Sequence, residues 1–347
     1  MSPNRIGRAL SAAVALLCVG ALLADCGTMG GGGGRRRARW ADRQRQERPV
    51  PMPQQGGQGP VASAAGFQSA QVSVGGLTRS YLIRVPSRAS GQMPLVFVFH
   101  GAGGSGGNFA ETTNYGQLAD SQGFIVVFPN GTNGKGGRVT TDGGYWNAGS
   151  GRGEGAAEQN NVDDLGFVRA MLAQIEGKYP VDRSRVYAAG FSKGGMFTYD
   201  LACNMADQFA AITTVSTTMT AASCNPSRMV PVFHIHGTAD EVIPYTGGQR
   251  RSGDSYPPVP GVLEFWRKRD QCSAETTRTQ VSADTTCYTY SSCARQVKYC
   301  LIDGGGHAWP GAARLSQRQV NMNVKVTQDF SATQQSWAWF QAHPMGQ

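Results

Sequence analysis

A chain of 347 residues with 40% hydrophobic and 16% charged residues is globular in composition, although 47 glycines are about twice the usual share. The formal charge of +9 is unevenly spread: residues 1–60 hold nine arginines against Asp25, Asp42 and Glu47, which leaves +3 for all the rest. That distribution speaks against a basic nucleic-acid-binding body and makes Arg35, Arg36, Arg37 and Arg39 a solvated tail cluster.

In chain order, Arg5 and Arg8 precede an apolar run over residues 9–24, shorter than the ~20 residues of a membrane span and typical of an export signal. The run ends at Leu23, Ala24, Asp25 and Cys26, similar to a bacterial lipoprotein processing site, with Asp25 where a small residue is expected. Secretion and a membrane tether through a lipidated Cys26 are therefore alternatives, and residues 1–26 are assigned to the signal. Residues 27–66 combine five consecutive glycines, the Arg cluster and Pro/Gln/Gly-rich stretches, too little apolar surface to offset ordering entropy, and read as a disordered tether.

From residue 67 to 347, short β-rich runs alternate with helical stretches, which predicts an α/β domain with a mostly parallel central sheet and helices on both faces. Strands are predicted over 81–85, 95–99, 124–128, 185–189, 211–215, 232–235 and 297–302, and helices over 109–122, 162–179, 194–205, 262–269 and 332–341. The runs before Tyr81 predict an antiparallel edge. No second domain-sized block is expected after the last helix, and the domain is expected to be a monomer.

Setting aside Cys18 and Cys26 leaves six cysteines, an even number in an exported chain, which predicts three disulfides. Residues 286–290 and 297–302 look like a hairpin in which Tyr290 faces Val297 and Cys287 faces Cys300. That register leaves Cys272–Cys293 and Cys203–Cys224. No Cys or His spacing suits a metal, so no metal site is expected.

The strongest chemical signal is Gly190-Phe-Ser192-Lys193-Gly194, directly after a predicted strand and before a predicted helix. A strained turn in that context lifts a serine hydroxyl clear of the sheet, and flanking glycines relieve the crowding. Serine then needs a base and an orienting acid, supplied in the order Ser, Asp, His. Asp240 follows the 232–235 strand, and His307 follows Gly304-Gly-Gly after the last strand. The oxyanion donors are expected to be the amides of Lys193 and of Ala102, in the glycine-rich loop after the 95–99 strand. His100 and His236 read as loop supports at strand ends. Asp163 and Asp164, at a helix start, read as capping or loop support rather than a metal pair.

The motifs Phe99-His-Gly-Ala-Gly-Gly104, Asn161-Val-Asp-Asp-Leu-Gly-Phe167, Gly190-Phe-Ser-Lys-Gly-Gly195, His234-Ile-His-Gly-Thr-Ala-Asp240 with Pro244-Tyr245, and Gly304-Gly-Gly-His-Ala-Trp-Pro-Gly311 span most of residues 67–347. Together they resemble the extracellular polyhydroxybutyrate depolymerase and feruloyl esterase group of α/β hydrolases. The resemblance implies the α/β-hydrolase fold and cofactor-free hydrolysis of carboxylic esters, either polyhydroxybutyrate-type oligoesters or feruloyl and acetyl esters of plant polysaccharide. Trp146, Trp309 and Tyr245 are then expected to contact substrate, whereas Trp266, Trp337 and Trp339 are expected in the core. The Cys287–Cys300 pair and the basic tether depart from the group. A serine peptidase of the same fold and a non-catalytic surface lipoprotein binding glycan or polymer are the alternatives.

Overall fold

The structure is a computed structural model that describes residues 66–87, 91–135, 138–151, 153, 155–249 and 255–346. The expected signal, with Cys18 and Cys26, and all of the expected tether except Gly66 lie outside the described residues. The chain opens with strands β1 (Gln68–Val74), β2 (Leu77–Arg84) and β3 (Met93–Phe99), helices α1 (Gly106–Thr113) and α2 (Tyr115–Gln122), and strand β4 (Ile125–Pro129). A hairpin of β5 (Thr132–Lys135) and β6 (Arg138–Tyr145) and helices α3 (Gly155–Gln159) and α4 (Asp164–Glu176) lead to β7 (Val181–Phe191), α5 (Lys193–Asn204), β8 (Ala211–Val215) and β9 (Val232–Gly237). A short pair, β10 (Gly248–Gln249) and β11 (Ser255–Tyr256), precedes α6 (Val259–Arg269), β12 (Thr276–Ser282), β13 (Thr285–Tyr290), β14 (Val297–Ile302), α7 (Gln317–Asn321) and α8 (Ala332–Gln341).

Among the described residues ten strands form one sheet in the order β1-β2-β4-β3-β7-β8-β9-β14-β13-β12. The run from β4 to β14 is parallel, and both ends are antiparallel. Every residue of β3, Met-Pro-Leu-Val-Phe-Val-Phe, is buried because helices cover both faces, as a central parallel strand requires. Leu95, Phe97 and Phe99 pack with α4, α5 and α6 on one side, while Val96 and Val98 pack with α1, α2 and α8 on the other. At the far edge Cys287 lies opposite Cys300 in the β13–β14 ladder. Disulfides join Cys203–Cys224, Cys272–Cys293 and Cys287–Cys300.

The hairpin of β5 and β6, the short pair β10 and β11, and helices α3 and α7 lie where no element was expected, and two further differences have a local cause. The single helix expected over 109–122 is two helices, because Asn114 takes a left-handed φ of 57° and turns the chain between α1 and α2. Strand β12 was not anticipated: its Thr-Thr-Arg-Thr-Gln-Val-Ser sequence is almost wholly exposed and lacks the apolar alternation of a strand with one face against a core.

A buried ion pair ties the antiparallel edge to α4. Arg79 in β2 donates to Asp164 at 2.7 Å and to the Asn130 carbonyl at 3.1 Å, and its guanidinium lies 4.2 Å from the Phe167 ring centre. The other Asp164 oxygen accepts the Asn147 amide at 2.7 Å, while Asp163 caps α4 by accepting from Gly166 at 2.7 Å. The two carboxylates thus serve separate structural ends. Removing one member of such a pair leaves a buried charge without a partner, so Arg79→Met is expected to destabilise the fold by about 3–5 kcal/mol. Adding Asp164→Asn should recover part of the loss. Urea unfolding of the two variants checks this, and an unchanged midpoint for Arg79→Met contradicts it.

Candidate active site

The parallel strands all end on one edge of the sheet, and the sequence-predicted residues sit just beyond those ends, where open α/β sheets hold their sites. Ser192 follows β7 with φ 54° and ψ −122°, a conformation L-residues rarely adopt, and α5 begins at the next residue. The turn closes this tightly only because its neighbours lack side chains. A Cβ on Gly190 would lie 2.3 Å from the Gly194 carbonyl oxygen, and one on Gly194 would lie 2.3 Å from that of Phe99. The Ser192 amide donates to Val215 at 3.0 Å, and the Thr217 hydroxyl donates to the Ser192 carbonyl at 2.7 Å.

Residues from three strand ends meet at this serine. His307 Nε2 lies 2.9 Å from Ser192 Oγ, and His307 Nδ1 lies 2.8 Å from Asp240 Oδ2. The second Asp240 oxygen accepts the amides of Val242 and Ile243, both at 2.9 Å. Burial by itself would raise the Asp240 carboxyl. The His307 charge and hydrogen bond, His236 and the Ile243 amide outweigh it and hold the group below its ordinary value. Asp240 therefore stays an anion, His307 Nδ1 carries a proton toward it, and Nε2 is left to accept one from Ser192. The His307 loop is itself fixed, by Gln319 donating to the His307 carbonyl at 2.9 Å and Ser216 donating to that of Ala308 at 3.2 Å.

Ala102 and Lys193 both line the cavity beside Ser192. In the loop after β3, the Gly103 amide is committed to Gly144 at 2.8 Å and the Gly104 amide to Gly101 at 3.1 Å, whereas the Ala102 amide makes no hydrogen bond to another described residue. His100 shapes this loop. Its Nδ1 donates to the Gly101 carbonyl at 2.8 Å and its Nε2 accepts the Gly131 amide at 3.0 Å, so the ring is neutral and its tautomer defined. Behind Ser192, the Lys193 ammonium forms a buried ion pair with Glu158 of α3 at 2.7 Å, joining the start of α5 to the segment after β6.

The cavity over Ser192 has a volume of about 980 Å³. Its apolar wall is formed by Phe109, Phe191, Met196, Val242, Ile243 and Trp309. Two expected substrate contacts are elsewhere. Trp146 is fully buried, stacked on Phe197 at 5.3 Å with its Nε1 donating to the His100 carbonyl at 2.9 Å, because the end of β6 delivers it beneath β3. Tyr245 is half-buried beside His236 and does not line the cavity. Trp309 does line it, as a largely buried floor held by Thr333 at 3.0 Å. Phe109, Phe191 and Ile243 were missed because single apolar residues next to motifs carry no sequence signal distinct from core.

Residues 82–253 match the phospholipase/carboxylesterase family. The chain is 29% identical over 247 residues to the bifunctional acetylxylan esterase/xylanase XynS20E of Neocallimastix patriciarum, an alignment covering 69% of this chain and 32% of that protein. It is 29% identical over 243 residues to feruloyl esterase B of Piromyces equi, covering 66% of this chain and 42% of that protein. It thus spans about a third to two fifths of the length of these two relatives. Its fold is like that of the acetyl xylan esterase from Aspergillus awamori, with a TM-score of 0.50 at 16% identity over 74% of this chain and 98% of that one. The chain has the α/β-hydrolase fold. Within that class it is similar to the feruloyl and acetylxylan esterases.

The buried histidines make a pH prediction. Burial lowers His100 from 6.5 to about 4, and His234 and His236 are lowered in the same direction, again chiefly by burial. Below pH ~6.5 the unfolded chain gains protons that the buried histidines of the folded one refuse, so their contribution to stability falls as pH drops from about 6.5 toward 4, while the buried carboxyls of Asp200 and Asp270, raised to about 6 and about 8 by burial, act in the opposite direction. His100 alone should make the protein about 2 kcal/mol less stable at pH 5 than at pH 7. Urea unfolding of wild type and His100→Gln at the two pH values measures this as the difference between the two proteins, and the variant should lack the His100 contribution. An equally steep slope in that variant contradicts the assignment.

Proposed function

We propose that the chain is an exported serine esterase whose domain, residues 67–347, hydrolyses carboxylic esters of plant polysaccharide through an acyl-enzyme. The observation that carries the reading is the hydrogen-bonded row from Ser192 Oγ to His307 to Asp240, at 2.9 and 2.8 Å. Ser192 Oγ attacks the ester carbonyl carbon while its proton passes to His307 Nε2, and Asp240 stabilises the imidazolium that forms. The carbonyl oxygen becomes an oxyanion facing the amides of Ala102 and Lys193, at the N-terminus of α5. The tetrahedral intermediate collapses by breaking the bond to the alcohol oxygen, which takes the proton from His307. Water repeats the sequence on the acyl-enzyme, releasing the acid and restoring Ser192.

Relatives named as feruloyl and acetylxylan esterases support this substrate class. The size and aromatic wall of the cavity favour a feruloyl group over acetyl, which would leave most of about 980 Å³ unfilled. Three disulfides are consistent with an oxidising, extracellular compartment, and lipidation of Cys26 remains the proposed route to any membrane tether.

Ser192→Ala is expected to lower turnover of 4-nitrophenyl acetate by at least ~10³-fold with unchanged circular dichroism. Undiminished turnover contradicts the reading. A panel of methyl ferulate, acetylated xylan, 3-hydroxybutyrate oligomers and peptide amides assigns the acyl group. The highest kcat/KM is expected on methyl ferulate, and activity confined to peptide amides would contradict the ester assignment.

A further inference from the structure

Behind Asp240 lies a second row of polar groups that the acyl-transfer steps do not use. His234 and His236, two residues apart on one face of β9, are fully buried, with rings nearly parallel at 17° and 5.3 Å apart. His234 Nε2 lies 3.1 Å from His236 Nδ1, and His236 Nε2 lies 2.8 Å from the Ile243 carbonyl oxygen and 3.6 Å from Asp240 Oδ2. At the other end, His234 Nδ1 lies 2.9 Å from both the Tyr199 hydroxyl of α5 and the Thr214 hydroxyl of β8.

The acceptors dictate every proton in this row. A carbonyl oxygen only accepts, so His236 Nε2 carries a hydrogen and points it at Ile243, with Asp240 Oδ2 beside it. In a neutral ring Nδ1 then accepts, so His234 Nε2 must carry the hydrogen between the two rings. His234 Nδ1 is left with one lone pair, which accepts from one of the two hydroxyls, while Tyr199 and Thr214 also hydrogen-bond each other. Tyr199 lies on α5, the helix that starts at the residue after the nucleophile, so the row returns to the element from which Ser192 is presented.

We propose that His236 is a positioning residue for the catalytic acid, held in its working tautomer by His234, Tyr199 and Thr214. By fixing the Ile243 carbonyl, His236 sets the turn whose Val242 and Ile243 amides grip Asp240 Oδ1, which leaves Oδ2 aimed at His307. The row lies beside Trp266 and Ile243, where apolar side chains would fill the same space without any demand for polar partners. Its geometry matters because a misplacement of about 1 Å in a catalytic array costs on the order of 10²-fold in rate.

The inference rests on the esterase reading, and the tests of the two separate. Wild-type turnover and its loss in Ser192→Ala report on the reading, whereas the ratio of each variant below to wild type reports on His236. In the full-length protein, His236→Phe is expected to lower kcat for 4-nitrophenyl acetate by about 10–100-fold with KM changed by less than about threefold. It should also abolish the strongly deshielded proton resonance of the His307–Asp240 hydrogen bond. His236→Gln, whose amide can still donate to Ile243, should retain most of the activity and the resonance. The combined Tyr199→Phe and Thr214→Val variant leaves His234 Nδ1 without a hydroxyl donor and should lower kcat in the same way without touching the catalytic row.

Wild-type kcat and an intact resonance in a folded His236→Phe protein overturn the proposal. So does a His236→Gln protein as impaired as His236→Phe. Should His236→Phe fail to fold, the double variant decides: reduced kcat with the resonance lost or shifted supports the proposal, and wild-type values for both overturn it.

Discussion

Ser192 occupies a backbone conformation, φ 54° and ψ −122°, that costs on the order of 1–3 kcal/mol and persists only because its surroundings impose it. The rest of the molecule reads as the apparatus for that imposition. Strand β7 is hydrogen-bonded between β3 and β8 and cannot shift, α5 is buried along nearly its whole length, and the Gly194 backbone rests against the end of β3. The consequence is functional as well as structural. A serine hydroxyl raised above the strand ends is within reach of His307 from another strand, and in the proposed mechanism the same turn directs the first amides of α5 toward developing negative charge.

Each partner of that serine is fixed by a different polar contact. Asp240 is gripped by two amides, His307 by Gln319 through its carbonyl, and the loop of Ala102 by His100. The three buried histidines are kept neutral by desolvation, which turns each ring into one donor and one acceptor of defined direction. A lysine or carboxylate would not serve in those places, since its charge would require a buried counter-ion. Two buried charges are paired in this way: Arg79 with Asp164, and Lys193 with Glu158.

The sequence revealed those parts of the site that depend on residue order. A glycine-flanked serine between a strand and a helix, followed by an acid and a histidine each just past a strand, is a pattern in one dimension, and the structure brings Ser192, Asp240 and His307 within hydrogen-bonding reach of one another. The parallel core was legible because strands such as β3 are continuous apolar runs. The Cys287–Cys300 register followed from hairpin symmetry. What the sequence hid depends on direction in space. Trp146 follows a loop-like stretch as Trp309 does, yet one ring enters the core under His100 and the other floors the cavity. Asn114 breaks a helix through a single φ, and β12 pairs through its backbone while its side chains face water. The sequence read His236 only as a loop support at a strand end, and the proton order it shares with His234 appears once Ile243 and Tyr199 are placed around them.

The central claim is that Ser192 is an activated nucleophile in a preformed acyl-transfer site. Covalent labelling tests it most directly: the folded protein is incubated with a fluorophosphonate, and the adduct is located by peptide mass mapping. The account predicts one adduct per chain, on Ser192, with no labelling after denaturation or in His307→Ala. An adduct on another residue, or a folded and unreactive Ser192, would contradict it.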